Sequence, residues 1–296
     1  MSVTNIIIIV IIIVVLLWAL NNIFLKTNII YDIMCDASAA RDTSNPDKTN
    51  TNVIVAKDIP ENNSSNFMLS VWFYIDNWGD NISSEKNILY MATDAAATTV
   101  PTLSSTFSGV SNSVPITPTS ATLHKNINIA LDKYENNLFI DIETTPDLTS
   151  DNPSSTFQYT RYRLPNISIQ KWNNLTISID SRTLDVYLDG KLRNSFILKG
   201  LYRNYIDATT KKNIYIGNMK SQGSATAGTV VNSGTNSGFE GFITRIRYES
   251  FAINPQEAYD IYKKGINSSL ANSIYNRYRL KVSFLEYNKE KGSITI

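Results

Sequence analysis

Cys35 is the only thiol in the chain and His124 the only imidazole. One cysteine cannot close an intramolecular disulfide, and one cysteine with one histidine cannot furnish a zinc site of those ligand types. A Ser/His/Asp or Cys/His nucleophile would have to recruit His124, yet no G-x-S-x-G type turn accompanies it. His124, next to Lys125, reads as an ordinary surface histidine. Three classes stay open: carboxylate chemistry, oxygen-ligated metals such as calcium, and binding without catalysis. Asp141 and Glu143, two residues apart, share one face of a strand. Retaining glycoside hydrolysis needs two carboxyl groups about 5 Å apart. A solvated strand edge is the ordinary setting for such a pair, and the chain is expected to be non-enzymatic.

What must position these residues is a β-rich fold. Of 296 residues, 43% are hydrophobic and 18% charged, with 27 Lys and Arg against 26 Asp and Glu. That balance fits a globular fold rather than disorder. It lacks the basic excess of a nucleic-acid binder, so nucleic acid is not an expected partner. From residue 67 onward, short runs of Val, Ile, Tyr, Phe and Trp are separated by Asn, Asp, Gly and Ser clusters. Within residues 172–198, Leu175, Ile177 and Ile179 alternate with Asn174, Thr176 and Ser178, then Leu184, Val186 and Leu188 with Asp185, Tyr187 and Asp189. One face is apolar and the other polar. Ser181-Arg182 and Asp189-Gly190 supply the turns of a three-strand meander. Further strands are expected at 67–75, 87–91, 127–131, 138–142, 213–216, 241–248 and 278–286, giving an all-β, two-sheet antiparallel sandwich. The uncharged residues 95–123 and the Gly, Ser and Thr-rich residues 219–238 read as long surface loops. One short helix is marked by Asn254 as cap, Pro255 at its first position, Glu257 three residues after the cap and Gly265 as stop.

Ahead of this domain, residues 6–20 read IIIIVIIIVVLLWAL, and no charge precedes Lys26. As a helix, residues 6–25 would span roughly 30 Å, the thickness of a bilayer core. A transmembrane anchor containing Ile6, Ile9, Ile13, Leu16, Trp18 and Leu20 is expected, with the lipid membrane as partner. No basic segment precedes the run, and the small-residue site Ala37-Ser38-Ala39 lies far downstream of it, which disfavours a cleaved signal peptide. Lys26 and Arg41 follow the span, which places the C-terminal part on the cytoplasmic side. The six N-x-S/T sequons are about what chance supplies in so Asn-, Ser- and Thr-rich a chain. The expected division is a transmembrane anchor (1–25), a linker with one short strand (26–65), the sandwich (66–265) and a C-terminal extension with a further strand (266–296).

The segments FMLSVWFYIDNW (67–78), KWNNLTISID (171–180), LDVYLDGKL (184–192), NIYIGN (213–218) and GFITRIRYESFAINPQEAYDIYKKG (241–265) resemble the concanavalin A-like lectin/glucanase superfamily, the laminin-G-like jelly roll. The closing motif, with the apolar N-terminus, is similar to virion proteins of nucleocytoplasmic large DNA viruses. That likeness implies a minor capsid protein at the interface of the inner viral membrane and the capsid shell, with other capsid proteins as partners. Glucanases of the superfamily carry an E-x-D-x-x-E strand; around Asp141 both flanking glutamates of that pattern are missing. Laminin-G-like and lectin domains often hold calcium at the rim, which makes Asp76, Asp80 and Asp94 candidate ligands here; no other cofactor is expected. Glycan binding, the alternative function, would use exposed aromatics such as Trp78, Tyr134 and Tyr187 on a membrane-borne lectin.

Overall fold

The computed structural model describes residues 29–38, 53–54, 56–62, 64–79, 82, 84–93, 112–116, 125–145, 158–202, 212–217, 238–266, 281–286 and 289–295. In chain order the first strands are β1 (Ile29–Tyr31), β2 (Cys35–Asp36), β3 (Val53–Ile54), β4 (Phe67–Asn77) and β5 (Lys86–Thr93). Next come β6 (Ser113–Ile116), β7 (Lys125–Leu131), β8 (Leu138–Thr144), β9 (Gln158–Leu164) and β10 (Trp172–Asp180). The chain continues with β11 (Thr183–Leu188), β12 (Lys191–Ile197), β13 (Lys212–Ile216), β14 (Glu240–Glu249) and helix α1 (Pro255–Lys264). A hairpin, β15 (Lys281–Glu286) with β16 (Lys289–Thr295), belongs to a separate compact unit, while Asn28–Tyr262 forms the unit that holds the sandwich.

Two seven-stranded antiparallel sheets build that sandwich. One runs β1-β14-β4-β10-β11-β12, with β2 also on β14; the other runs β3-β13-β5-β7-β8-β9-β6. The jelly-roll sandwich expected from the alternating pattern is what the chain forms. Phe67, Leu69, Val71, Phe73 and Ile75 of β4 point inward and are at most 1% exposed. They meet Leu175, Ile177 and Ile179 of β10 across the first sheet and share one core with Ile140 and Ile142 of β8 in the second. Each such side chain contributes about 1.5 to 3 kcal/mol when removed from water. The register follows the pattern: Leu175 pairs with Val71 and Ile177 with Leu69, so a slip of one residue would turn the whole apolar set outward. The Asp189-Gly190 turn has both residues at positive φ (52° and 72°), which suits the twist of the β11–β12 hairpin.

The polar face of the meander is not wet. Asn174, Thr176 and Ser178 are at most 3% exposed, because α1 and the segment before it lie over them. Thr176 Oγ1 donates to Ser70 Oγ at 2.9 Å, Asn174 Nδ2 to the same oxygen at 3.1 Å, and the Ile253 amide to Ser178 Oγ at 2.9 Å. Ala258 and Ile261 of α1 close this layer against Met68, Tyr187 and Ile253. The helix begins as its sequence signals require: Glu257 N–H donates to Asn254 Oδ1 at 3.0 Å, and Asn254 N–H donates to Glu257 Oε2 at 2.8 Å.

Five strands escape the sequence reading, among them β16, which pairs with β15 where the C-terminal extension was expected to hold a single strand. β1 and β2 lie in the expected linker yet pair with β14 (Ile29 opposite Arg247, Cys35 opposite Ile243). With three and two residues they are too short to show a period. β6 sits inside the expected loop 95–123; it holds Pro115, which an edge strand tolerates, and pairs with β9. β9 itself reads QYTRYRL, where two arginines mask a strand whose outward face is buried by ion pairing. Among the described residues no helix is long and apolar enough to cross a membrane. The anchor residues Ile6, Ile9, Ile13, Leu16, Trp18 and Leu20 lie outside the described residues, as do His124 and nearly all of loop 219–238.

Candidate functional site

Three connections converge at one end of the sandwich. Beyond β4, Asn77 Oδ1 accepts the Gly79 amide at 3.0 Å, a tight turn that leaves Trp78 half-buried against the rim of the core. Between β7 and β8, the Asp132 amide donates to the Asn137 carbonyl at 3.0 Å. Inside that turn Asn137 Nδ2 donates to Glu135 Oε2 (2.7 Å) and Asp132 Oδ2 (3.3 Å). Between β9 and β10, Asn166 and Gln170 both take left-handed backbone conformations (φ 61° and 56°). Asparagine accepts that geometry more readily than most residues, so position 166 suits it.

Backbone hydrogen bonds stitch these connections together. The Ile167 amide donates to the Asn136 carbonyl (2.8 Å) and Asn136 Nδ2 returns a bond to the Ile167 carbonyl (3.3 Å). The Gln170 amide reaches the Ile75 carbonyl at 2.7 Å, and Ile167 is driven into the core. Between them lies a cleft of about 650 Å³ whose walls include Trp78, Tyr134, Asn136, Arg163, Asn166 and Ile169. That volume falls within the range of small-ligand sites. Tyr134 is 70% exposed, so the β7–β8 turn holds its ring toward solvent at the cleft that Trp78 also lines. Aromatic faces next to carboxamides offer an apolar surface together with both donors and acceptors. Glu135 and Arg163 bring opposite charges to the same walls.

Two of the three aromatics expected to contact glycan, Trp78 and Tyr134, thus come together. The third does not. Tyr187 is fully buried beneath α1 with Met68, Ile253 and Ala258, because the outward face of β11 is covered rather than wet. Missed by the sequence reading were Asn136, Arg163, Asn166 and Ile169. The turn-forming run Asn136-Asn137 and the Pro165-Asn166 pair mark loops in sequence, and only the fold brings those loops into contact.

The carboxylates belong elsewhere. Asp141 and Glu143 share the outer face of β8, and both are buried (2% and 0% exposed). Arg161 of β9 clamps Asp141 through Nε (2.6 Å to Oδ1) and Nη2 (2.8 Å to Oδ2), while Asn128 Nδ2 donates to Oδ2 at 2.9 Å. The other side of the same guanidinium holds Glu85 by two bonds of 2.6 and 3.0 Å, and its plane lies 4.5 Å over the Phe139 ring. Burial alone would lower the Arg161 pKa, but the Asp141 carboxylate and then Glu85 outweigh it and push it up. Burial pushes Glu85 above its ordinary value against the pull of Arg161. With both of its oxygens occupied, Asp141 is arranged as a buried counterion to Arg161.

Of the candidate calcium ligands, Asp76 is exposed near the end of β4, and Asp80 and Asp94 lie outside the described residues. Among the described residues no three acidic, histidine or cysteine side chains gather where they could hold a metal ion.

A family model described as the concanavalin A-like lectin/glucanases superfamily matches residues 91–257. No curated protein matches the chain. Among solved structures, the botulinum neurotoxin serotype D binding domain is 14% identical, with a TM-score of 0.38 over 72% of this chain and 40% of that one. The serotype G binding domain is 15% identical, with a TM-score of 0.35 over 67% and 36%. The receptor binding domain of the C/D mosaic serotype is 13% identical, with a TM-score of 0.37 over 68% and 36%. The matched portion spans about two fifths of those solved chains or less.

Proposed function

Since the chain belongs to the concanavalin A-like lectin/glucanases superfamily, we propose that it is a non-catalytic, membrane-anchored carbohydrate-binding protein whose site is the Trp78–Tyr134 cleft. The observation that carries this reading is the convergence of Trp78, Tyr134, Asn136 and Asn166 from three separate connections onto one open cavity. A pyranose ring can lay its C–H face on an aromatic side chain while its hydroxyls exchange hydrogen bonds with carboxamides. The locked state of Asp141 supports a binding role over hydrolysis. The apolar run of residues 6–20 supports an anchor that holds the sandwich at a membrane surface.

The test is a glycan array probed with the detergent-solubilised full chain. Binding to a defined glycan set is expected, with at least about a tenfold loss in Trp78→Ala and Tyr134→Ala, since such anchors carry over 1 kcal/mol each. Absence of binding to any arrayed glycan overturns the proposal. A second reading makes the chain a minor capsid protein that links an inner viral membrane to the capsid shell. It is favoured by the closing motif at 241–265 together with the apolar run. On that reading the protein leaves detergent-treated virions with membrane or shell, and recovery in the soluble fraction alone refutes it.

A further inference from the structure

Lys86, the first residue of β5, is fully buried. Its Nζ donates to the Lys133 carbonyl at 3.0 Å and the Asp132 carbonyl at 3.4 Å, the two peptide oxygens at the start of the β7–β8 turn. The same ammonium lies 5.1 Å from the centroid of the Trp78 ring. One cation therefore touches both walls of the cleft: the indole at the end of β4, and the turn that carries Tyr134 and Asn136. Its neighbour Glu85 is held from the opposite direction by the Arg161 fork, so the backbone that delivers Lys86 is fixed as well.

A buried ammonium is costly unless dipoles replace its lost water. Here two carbonyls and the negative face of an aromatic ring do so. The sugar-binding reading explains why a lysine stands where a hydrocarbon side chain would fill the same space: charge and carbonyl bonds dictate a pose that packing alone leaves loose. On that reading, we propose that Lys86 is the positioning residue of the cleft. It sets the indole of Trp78 against the β7–β8 turn and so fixes the gap between the two walls, without touching the ligand itself.

The experiment uses the full chain in detergent, with Lys86→Met, Lys86→Gln, Lys86→Arg and Trp78→Phe. The signal of Trp78 is the tryptophan emission of each protein minus that of its Trp78→Phe counterpart, read with and without acrylamide as quencher. Quenching of Trp78 is expected to rise about threefold in Lys86→Met as the cation–π contact is lost, with return toward wild type in Lys86→Arg. Lys86→Gln keeps a donor for the carbonyls without the charge and stands in for Lys86→Met should that variant not fold. On the glycan array, Lys86→Met is expected to lose about tenfold in affinity while Lys86→Arg retains most of it.

An unchanged Trp78 signal in both neutral variants overturns the assignment, as does undiminished binding by a folded Lys86→Met. If wild type binds no glycan but the Trp78 signal responds to Lys86 as described, the positioning role stands and only the sugar reading falls.

Discussion

The Arg161 network allows a sharp prediction about stability. Arg161 and Asp141 are 1% and 2% exposed, and Glu85 retains 20% exposure at its side chain. Replacing Arg161 with Met preserves much of the volume but leaves Asp141 buried with only the Asn128 donor, and Glu85 without either of its two bonds. Breaking a buried pair from one side costs about 3 to 5 kcal/mol, most of it the penalty of an uncompensated charge. In a unit of this size about 4 kcal/mol lowers the melting temperature by roughly 10 °C. The double variant Arg161→Met/Asp141→Leu removes the stranded charge along with its partner, and it should regain more than half of the loss. Glu85 then stays near Lys133 and partly in water, which limits what remains. Urea unfolding of wild type, both single variants and the double variant forms a complete cycle. A loss of less than about 1 kcal/mol in Arg161→Met, or a double variant no better than the single, would show that this guanidinium does not neutralise the outer face of the second sheet.

Burial raises the Glu85 pKa above its ordinary value of 4.5 in the folded chain, so the folded state takes up that proton more readily than the unfolded one. Glu85 therefore adds stability that is fully present below the unfolded value and is lost as pH rises through the folded one; a Glu85→Gln variant should flatten the unfolding free energy across that window, measured by urea titration at each pH. Gly190 sits at φ 72°, and an added Cβ would lie 2.8 Å from Tyr262 Cβ, so Gly190→Ala should lower stability by about 1 to 3 kcal/mol and displace α1, seen as reduced amide protection of residues 256–262. Burial pushes the Cys35 thiol up to about 11, aided by Asp36 and opposed by its contact with Tyr31, so alkylation at neutral pH should proceed only on unfolding; rapid native-state modification would contradict its buried placement beside β14. Asn254→Ala removes one half of the reciprocal cap of α1 and should cost about 1 kcal/mol by thermal unfolding.

Much of the sandwich was legible because its signals are local. Alternation along Leu175, Ile177 and Ile179 identified both the strand and its core face, and the Asp189-Gly190 pair located the hairpin to the residue. The same locality explains the failures. β1 and β2 contain three and two residues and become strands only because β14 offers them an edge. Tyr187, Asn174 and Thr176 alternate as a solvent face should, yet α1, which begins only at Pro255, turns that face into an interior.

The cleft divides in the same way. Trp78 and Tyr134 were nameable in advance as aromatics a lectin-like domain could expose, although the same reasoning also picked the buried Tyr187. Their meeting, with Asn136 and Asn166, depends on hydrogen bonds between loops about 30 residues apart, such as Ile167 to Asn136. Asp141 shows the converse: period-2 spacing suggested paired acids at a strand edge, and an arginine 20 residues away converts one of them into a buried counterion. Periodicity and turn chemistry act over a few residues and can be read along the chain. Burial, ion pairing and the shape of a cleft are set by whichever distant segments come to lie alongside, and that is decided only when the two sheets and their connections close on one core.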